Sequence, residues 1–435
     1  MSLVVRNVTW WDWRTGSLHT GDLLVDGGVA PLHGAPPPGA AVVEGRGGLA
    51  MAGLVCGHHH LYSALARGMP APPRPPAGFA EILELVWWRL DRALDPDAIL
   101  ASALAGAIDL VRCGATAVID HHASPRAWPG ALDALAGGLE RLGLAHVLCA
   151  ELSDRDGPAA AAAGLAETER WLAAGHPGLV GLHASFTVGD ALLEQAVALA
   201  RRHGTGLHLH VAEDPLDQER CLAVHGCRVV ERLQRAGALD LPGTILAHGL
   251  HVDDRERALI AASGAWVAVN TESNQNNAVG AFRPEGLDPD RLLLGTDGMH
   301  GDMLRALQAA YLAGREHGGL TPAEAWRALA NNRRYLEAHH PTAARPDDLV
   351  ILAYAPPTPL DEGNALGHAL FGLDARHVRT VIAGGRVVLD DGRLTTIDED
   401  DTLRFCREQA RQLWDRLRDS IPDDSGAPGQ DGARP

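Results

Sequence analysis

"ATAVIDHH", residues 115–122, is a short apolar run that closes on an acid and two histidines. It does not alternate polar and apolar residues, as a half-exposed strand would. A near-continuous run of this length fits a parallel strand covered on both faces. Seven more runs share the layout: "GLVCGHHH" (53–60), "AHVLCAEL" (145–152), "LVGLHASF" (179–186), "GLHLHVAE" (206–213), "TILAHGLH" (244–251), "AWVAVNTE" (265–272) and "RLLLGTDG" (291–298). Stretches with helical character lie between them, such as "FAEILELVWWRLDRAL" (79–94) and "DALLEQAVALARRHG" (190–204). Eight strands alternating with helices over about 240 residues predict an α/β fold, a (β/α)8 TIM barrel at 51–344. A doubly wound open sheet is the alternative, but no GxGxxG turn follows the first run.

The flanks read differently. Residues 1–50 hold short β-like runs split by glycine, and residues 345–400 hold "DDLVILAY" and "VRTVIAGGRVVLDDGRLTTID". Gly384–Gly385 suits a two-residue hairpin turn. Neither flank has core enough alone, so the two are expected to pair into one small β-sandwich. Residues 401–421 have the pattern of an amphipathic helix. The tail at 422–435, rich in Gly, Pro and Asp, is expected to be disordered.

Composition narrows the chemistry. The chain has 435 residues, 46% of them hydrophobic, and a net charge of −17. Such an acidic surface disfavours nucleic acid as a partner. No apolar run reaches membrane-spanning length, and the N-terminus lacks a signal-peptide layout. Six scattered cysteines fit reduced thiols in the cytoplasm. All 38 basic residues are arginine. Without lysine the chain has no Walker lysine, no pyridoxal Schiff base and no lysine nucleophile.

Most of the apolar runs end in histidine or an acid. His58 and His60 close the first, His121 and His122 the second, His183 the fourth, His210 the fifth, His248 the sixth and Asp297 the eighth. Strand C-termini of such a barrel share one mouth, where catalysis sits. His58 and His60, at i and i+2, point to one side, and His59 to the other. With His210 and Asp297 they make a three-histidine, one-carboxylate set. It suits Zn²⁺, or alternatively Fe²⁺, with a position open for water. Glu213, three residues after His210, is placed to carry protons. Its competing role is a helix N-terminal acid, beside Asp214. His248 suits holding the attacking oxygen or orienting the carboxylates. His208 lies one layer deeper. His251, His300, His339 and His340 are expected at the surface. Substrate contacts are expected from Arg67, Trp88, Arg155, His183 and Asn274, on loops around the mouth.

"GLVCGHHHLYSALARG", "HVAE", "AHGLH", "VNTESNQNNAVG" and "GTDG", in this order, resemble the motif series of the amidohydrolase superfamily. The likeness is to its aminohydrolase and chlorohydrolase branch, which includes guanine deaminase and triazine hydrolases. "VIDHHASP" and "ELSDRDG" are similar to the SsnA-type aminohydrolases, named for an association with selenium metabolism. The resemblance implies one divalent metal on His58, His60, His210 and Asp297. It implies a proton shuttle at Glu213 and a water contact from His248. The missing lysine agrees, since binuclear members commonly bridge two metals with a carbamylated lysine. The family's "NTHxH" reads Cys56-Gly57-His58-His59-His60 here, and its "HNP" reads Val269-Asn270-Thr271.

The expectation is a metal-dependent aminohydrolase. It would release ammonia from a C–NH₂ group of a small nitrogen heterocycle, with catalysis by Glu213, His248 and Asp297. Hydrolysis of a cyclic amide or a C–Cl bond is the alternative on the same scaffold. A non-catalytic or accessory metal-binding barrel is the second. A homodimer is compatible with either.

Overall fold

The computed structural model describes residues 2–419. Eight parallel strands form one sheet in chain order: Leu54–His59, Ala115–His122, Ala145–Leu152, Val180–Ala184, Leu207–Val211, Ile245–His248, Trp266–Val269 and Leu292–Leu294. All eight residues of Ala115–His122 are buried, as a strand covered on both faces requires. The sheet closes at backbone level. The amides of Thr296 and Asp297 donate to the His58 carbonyl at 3.0 and 3.1 Å. His59 also bridges Asp297 in parallel. Closing the barrel therefore sets Asp297 beside His58 and His60 in the same step.

The inward side chains follow the two-residue period of a strand. Ala117, Ile119, Val147, Cys149, Ile245, Ala247 and Leu293 share one apolar cluster with Tyr335 of the helix Pro322–His339. His121, Glu151 and His210 continue the inward phase of their strands to the rim. The filling is thus apolar below and polar at the mouth. Helices Pro96–Arg112, Ala131–Arg141, Pro158–Ala173, Asp190–His203, Pro215–His225, Asp254–Ala262, Met303–His317 and Pro322–His339 follow the strands. The first starts at Asp95, whose side chain accepts from the Ala98 amide, with Pro96 at the first helical position.

The two flanks pair into one separate eight-stranded sheet. Its order is Arg393–Leu394, Arg386–Asp390, Val378–Ala383, Leu349–Leu352, Ala41–Ala52, Leu3–Trp11, Leu18–Val25 and Val29–Pro31. Leu3–Trp11 runs parallel to Ala41–Ala52, and the other pairs are antiparallel. Gly384 and Gly385 make the expected turn, with φ of 56° and 68°. Strand Ala41–Ala52 runs two residues past the boundary expected at 50. The helix expected at 401–421 begins at Glu399 and is described to Asp419. Its Cys406 thiol donates to the Ala101 carbonyl and its Trp414 indole to the Leu65 carbonyl. The tail expected to be disordered lies outside the described residues. Among those described, no helix is long and apolar enough to cross a membrane.

One expectation fails at the other end of the barrel. His340 is buried at 6% exposure, and the His339 ring accepts from the Trp266 indole at 3.1 Å. The end of helix Pro322–His339 packs against strand Trp266–Val269, so neither is a free surface residue. His251 and His300 are half-buried; His251 donates to the Val279 carbonyl and His300 pairs with Glu272.

Candidate active site

His58, His60, His210 and Asp297 meet with their ligand atoms within 4.8 Å of one another. The Nε2 atoms of His60 and His210 face each other at 3.1 Å. Asp297 Oδ1 is 2.9 Å from His60 Nε2 and 3.7 Å from His58 Nε2. The outer ring nitrogens are spoken for. His60 Nδ1 donates to the His121 carbonyl at 2.5 Å and His210 Nδ1 to the His183 carbonyl at 3.0 Å. His58 Nδ1 bonds His208 Nε2 at 2.8 Å. These contacts aim three Nε2 lone pairs at one point, the arrangement that orients imidazoles toward a metal.

The donor set fits a divalent cation on two grounds. His58 Nε2 is buried and has no hydrogen-bond partner. A buried polar atom left unpaired is costly, so a ligand there relieves it. The second ground is charge. Burial lowers His60, yet Asp297 outweighs burial and raises it to about 9. Burial would raise Asp297, but His60 and His58 hold it well below the usual carboxylate range. The site thus favours a positive charge between them. Burial lowers His58 to about 3 and holds His210 well below its ordinary value, which keeps both neutral, as ligation requires.

Glu213 and His248 stand beside this set. Their Oε2 and Nε2 are 3.5 Å apart. Burial pushes the Glu213 carboxyl above its ordinary value, and Asn277 donates to its other oxygen at 3.2 Å. The helix cap at this point is Asp214, whose side chain accepts from the Leu216 amide. Glu213 is therefore not needed as a cap and faces the mouth. Leu246 points out of the barrel with the outer core, so a regular strand would send His248 outward too. A φ of 73° at His248 turns it inward instead. Asn274 Oδ1 then fixes its Nδ1 at 2.7 Å. Asp297 also has left-handed backbone, φ 52°, and accepts from the Ser273 hydroxyl.

A cavity of about 60 Å³ lies over the cluster. Its walls include His60, His210, Glu213, Ser273, Asn277 and Asp297 on one side and Phe79, Leu83, Trp87, Trp88 and Asp91 on the other. The second group belongs to one helical insertion, Phe79–Ala93, which contains a π-turn at Leu83–Trp87.

Of the five expected substrate contacts, Trp88 and His183 line this cavity. Arg67 does not: it lies outside, its side chain 60% exposed, paired with Asp109 at 2.8 Å. Arg155 is buried behind the wall, bonded to Asp91 and Glu151 and placed over the Trp88 ring. Asn274 touches His248 rather than the cavity. Sequence reasoning missed Asp91, Glu151, Tyr62, Ser273 and Asn277. Glu151 carried a signal, since it closes the third apolar run. Asp91 carried none.

Two further trios lie within the same reach, His121–Glu151–His210 and Glu213–His248–Asp297. Each shares a residue with the four-ligand set. His121 Nε2 donates to the Leu182 and His208 carbonyls, leaving Nδ1 3.5 Å from Glu151.

The chain is similar to known proteins over most of its length. A 5'-deoxyadenosine deaminase of Methanothermobacter thermautotrophicus is 28% identical over 426 residues, covering 92% of this chain and 96% of that protein. A 5-methylthioadenosine/S-adenosylhomocysteine deaminase of Desulfovibrio desulfuricans is 30% identical over 387 residues, 83% of each chain. Among solved structures, an adenosine deaminase from Xanthomonas campestris with bound zinc superposes with a TM-score of 0.77. It is 21% identical and covers 96% of this chain and 98% of its own. An atrazine chlorohydrolase from Arthrobacter aurescens, complexed with zinc, has a TM-score of 0.74 at 17% identity, over 94% of this chain and all of its own. The model of the amidohydrolase family matches residues 49–332, well over half of the sequence, and the chain belongs to that family.

Proposed function

We propose that this amidohydrolase is a metal-dependent deaminase that hydrolyses the exocyclic amine of an adenine-type nucleoside and releases ammonia. The observation that carries the reading is the convergence of His60 Nε2, His210 Nε2 and the unpartnered His58 Nε2 on Asp297. The deaminase relatives support the nucleoside class.

A divalent ion on His58, His60, His210 and Asp297, with zinc favoured by the zinc-bound neighbours, would supply Lewis-acid activation of water. The protein's own groups handle the protons. His248 donates from Nδ1 to Asn274, so its Nε2 is free to accept from the attacking water. Asp297 and Glu213 take the water's protons. Glu213, kept easy to protonate by burial, returns one to the ring nitrogen next to the reacting carbon. That prevents negative charge from building on the ring as the C–O bond forms. A second proton goes to the amine, the C–N bond breaks and ammonia leaves. The flat walls of Trp87, Trp88 and Tyr62 suit an aromatic heterocycle. The six unpaired cysteines are in keeping with a cytoplasmic enzyme.

The test is ammonia release by zinc-loaded protein from adenosine, 5'-deoxyadenosine, 5-methylthioadenosine and S-adenosylhomocysteine. Turnover of at least one is expected. Chloride release from a chlorotriazine with no ammonia from any nucleoside would replace this reading with the chlorohydrolase one.

A further inference from the structure

His58 differs from the other two histidines of the cluster in what holds its outer nitrogen. His60 Nδ1 and His210 Nδ1 meet strand carbonyls. A carbonyl can only accept, so a neutral ring there carries its proton on Nδ1 and its lone pair on Nε2. His58 Nδ1 meets His208 Nε2 instead, at 2.8 Å. An imidazole nitrogen either donates or accepts, so this contact alone leaves the His58 tautomer open. The decision passes down the barrel to His208.

His208 and His210 stand two residues apart on strand Leu207–Val211, so both point inward. His208 Nδ1 is 3.8 Å from the Cys149 sulfur, and the Cys149 thiol donates to the Asp120 carbonyl at 3.5 Å. Burial holds His208 well below its ordinary value and pushes the Cys149 thiol well above its own. The ring is therefore neutral, with one N–H, and the thiol keeps its proton. With that proton on the Asp120 carbonyl, the sulfur offers only lone pairs to His208 Nδ1, which must then be the N–H. His208 Nε2 is left to accept from His58 Nδ1, and the His58 lone pair falls on Nε2, the atom 3.7 Å from Asp297. His58, His208 and Cys149 are 0%, 0% and 1% exposed, so bulk water offers none of them a substitute partner.

We infer that His208 is a positioning residue for the metal: held as its Nδ1–H tautomer by Cys149, it accepts from His58 Nδ1 and so reserves the His58 Nε2 lone pair for the ion. The inference rests on the proposed metal site. Reversed, the same contacts would disarm it. His208 would donate from Nε2, His58 would accept at Nδ1 and carry its proton on Nε2, and a protonated nitrogen cannot ligate. The two parts of the relay differ in weight. Loss of the His208 acceptor strips His58 of its partner outright. A thiol sulfur is a weak acceptor, so loss of Cys149 only frees His208 to take either tautomer.

Zinc affinity is the readout, measured on the full chain by competition with a chromophoric chelator, with circular dichroism of the zinc-free proteins to confirm folding. His208→Leu offers no acceptor and is expected to weaken zinc about 10–100-fold, the range for loss of a ligand's outer hydrogen-bond partner. His208→Gln sets a carbonyl oxygen near the position of the lost Nε2 and is expected to recover most of that affinity. Cys149→Ala is expected to show a smaller loss than His208→Leu. Wild-type affinity in His208→Leu overturns the inference. So does an equal loss in His208→Leu and His208→Gln, which would make the residue a packing element. Wild-type affinity in Cys149→Ala overturns the thiol's part. Nitrogen-15 NMR of the zinc-loaded wild type reads the tautomer directly and holds even if His208→Leu fails to fold. The His208 ring signals, assigned by their loss in His208→Gln, are expected to show Nδ1 as the N–H and Nε2 bare; the opposite tautomer overturns the relay. A wild type that binds no zinc overturns the metal site itself, and this inference with it, an outcome distinct from zinc binding that no variant alters.

Discussion

His60 and His210 present their Nε2 atoms to each other at 3.1 Å, while each donates from Nδ1 to a strand carbonyl. Two lone pairs so placed repel unless a cation lies between them. Asp297, 2.9 Å from His60, adds the negative charge that recruits one. Replacing either histidine by alanine is therefore expected to lose bound metal on dialysis, and His58→Ala likewise. Elemental analysis of the purified variants checks this. A variant that keeps one equivalent of metal removes that histidine from the ligand set. Chelation of the wild type is expected to lower its Tm, since an ion that binds only the folded state stabilises it by mass action.

Glu213 is the group to separate binding from chemistry. It is absent from the four-ligand set yet 3.5 Å from His248. Glu213→Gln preserves shape and removes the proposed proton carrier. Metal content is expected to stay at the wild-type level while kcat falls by about 10²–10⁴, the range for loss of a positioned acid–base group. Steady-state ammonia release beside elemental analysis gives both numbers. Loss of metal together with activity would make Glu213 a ligand instead.

The barrel and the candidate metal cluster were legible because both rest on strand periodicity. A continuous apolar run marks a buried parallel strand, and its last residues fall at the mouth whatever follows. His58, His60, His210 and Asp297 needed nothing more. His248 was legible by position only; its inward aim depends on a φ of 73° that no pattern announces. The cavity's outer wall was the illegible part. It is built by the insertion Phe79–Ala93, and the π-turn at Leu83–Trp87 resets the phase of the helix. Which of Trp87, Trp88 and Asp91 would face the site was therefore hidden. Arginines misled for a related reason: charge marks a functional side chain and a structural clamp alike.

The two arginines make opposite predictions. Arg155 holds Asp91 at the wall and bonds Glu151 at 3.2 Å, with its own side chain 7% exposed. Asp91 is already raised to about 7, chiefly by burial. Arg155→Met leaves two buried carboxylates without their cation, which costs on the order of 3–5 kcal/mol. Arg67 pairs with Asp109 at the surface, where such pairs contribute about 0–1 kcal/mol. Arg67→Ala is expected to leave both stability and kcat/KM near wild type. Urea denaturation and initial rates on the two variants decide it. A large loss of kcat/KM in Arg67→Ala would return that residue to the substrate.

Acid sensitivity is expected from histidines buried as neutral rings, and His340 isolates the effect because it lies at the other end of the barrel from the candidate metal cluster. Burial lowers it from 6.5 to about 4, and its Nε2 has no partner. The folded state thus resists a proton that the unfolded chain accepts. Above pH 6.5 both states are neutral there and the group is silent. As pH falls below 6.5 the unfolded state takes up protons first, so stability drops until the folded pKa is reached. Between about pH 7.5 and pH 5 this single ring accounts for roughly 2 kcal/mol at most, from 1.36 kcal/mol per pH unit. His340→Leu cannot titrate. Its stability, measured by urea denaturation at both pH values, is expected to fall less on acidification than that of the wild type. An unchanged pH dependence would mean that His340 gains a compensating partner when protonated.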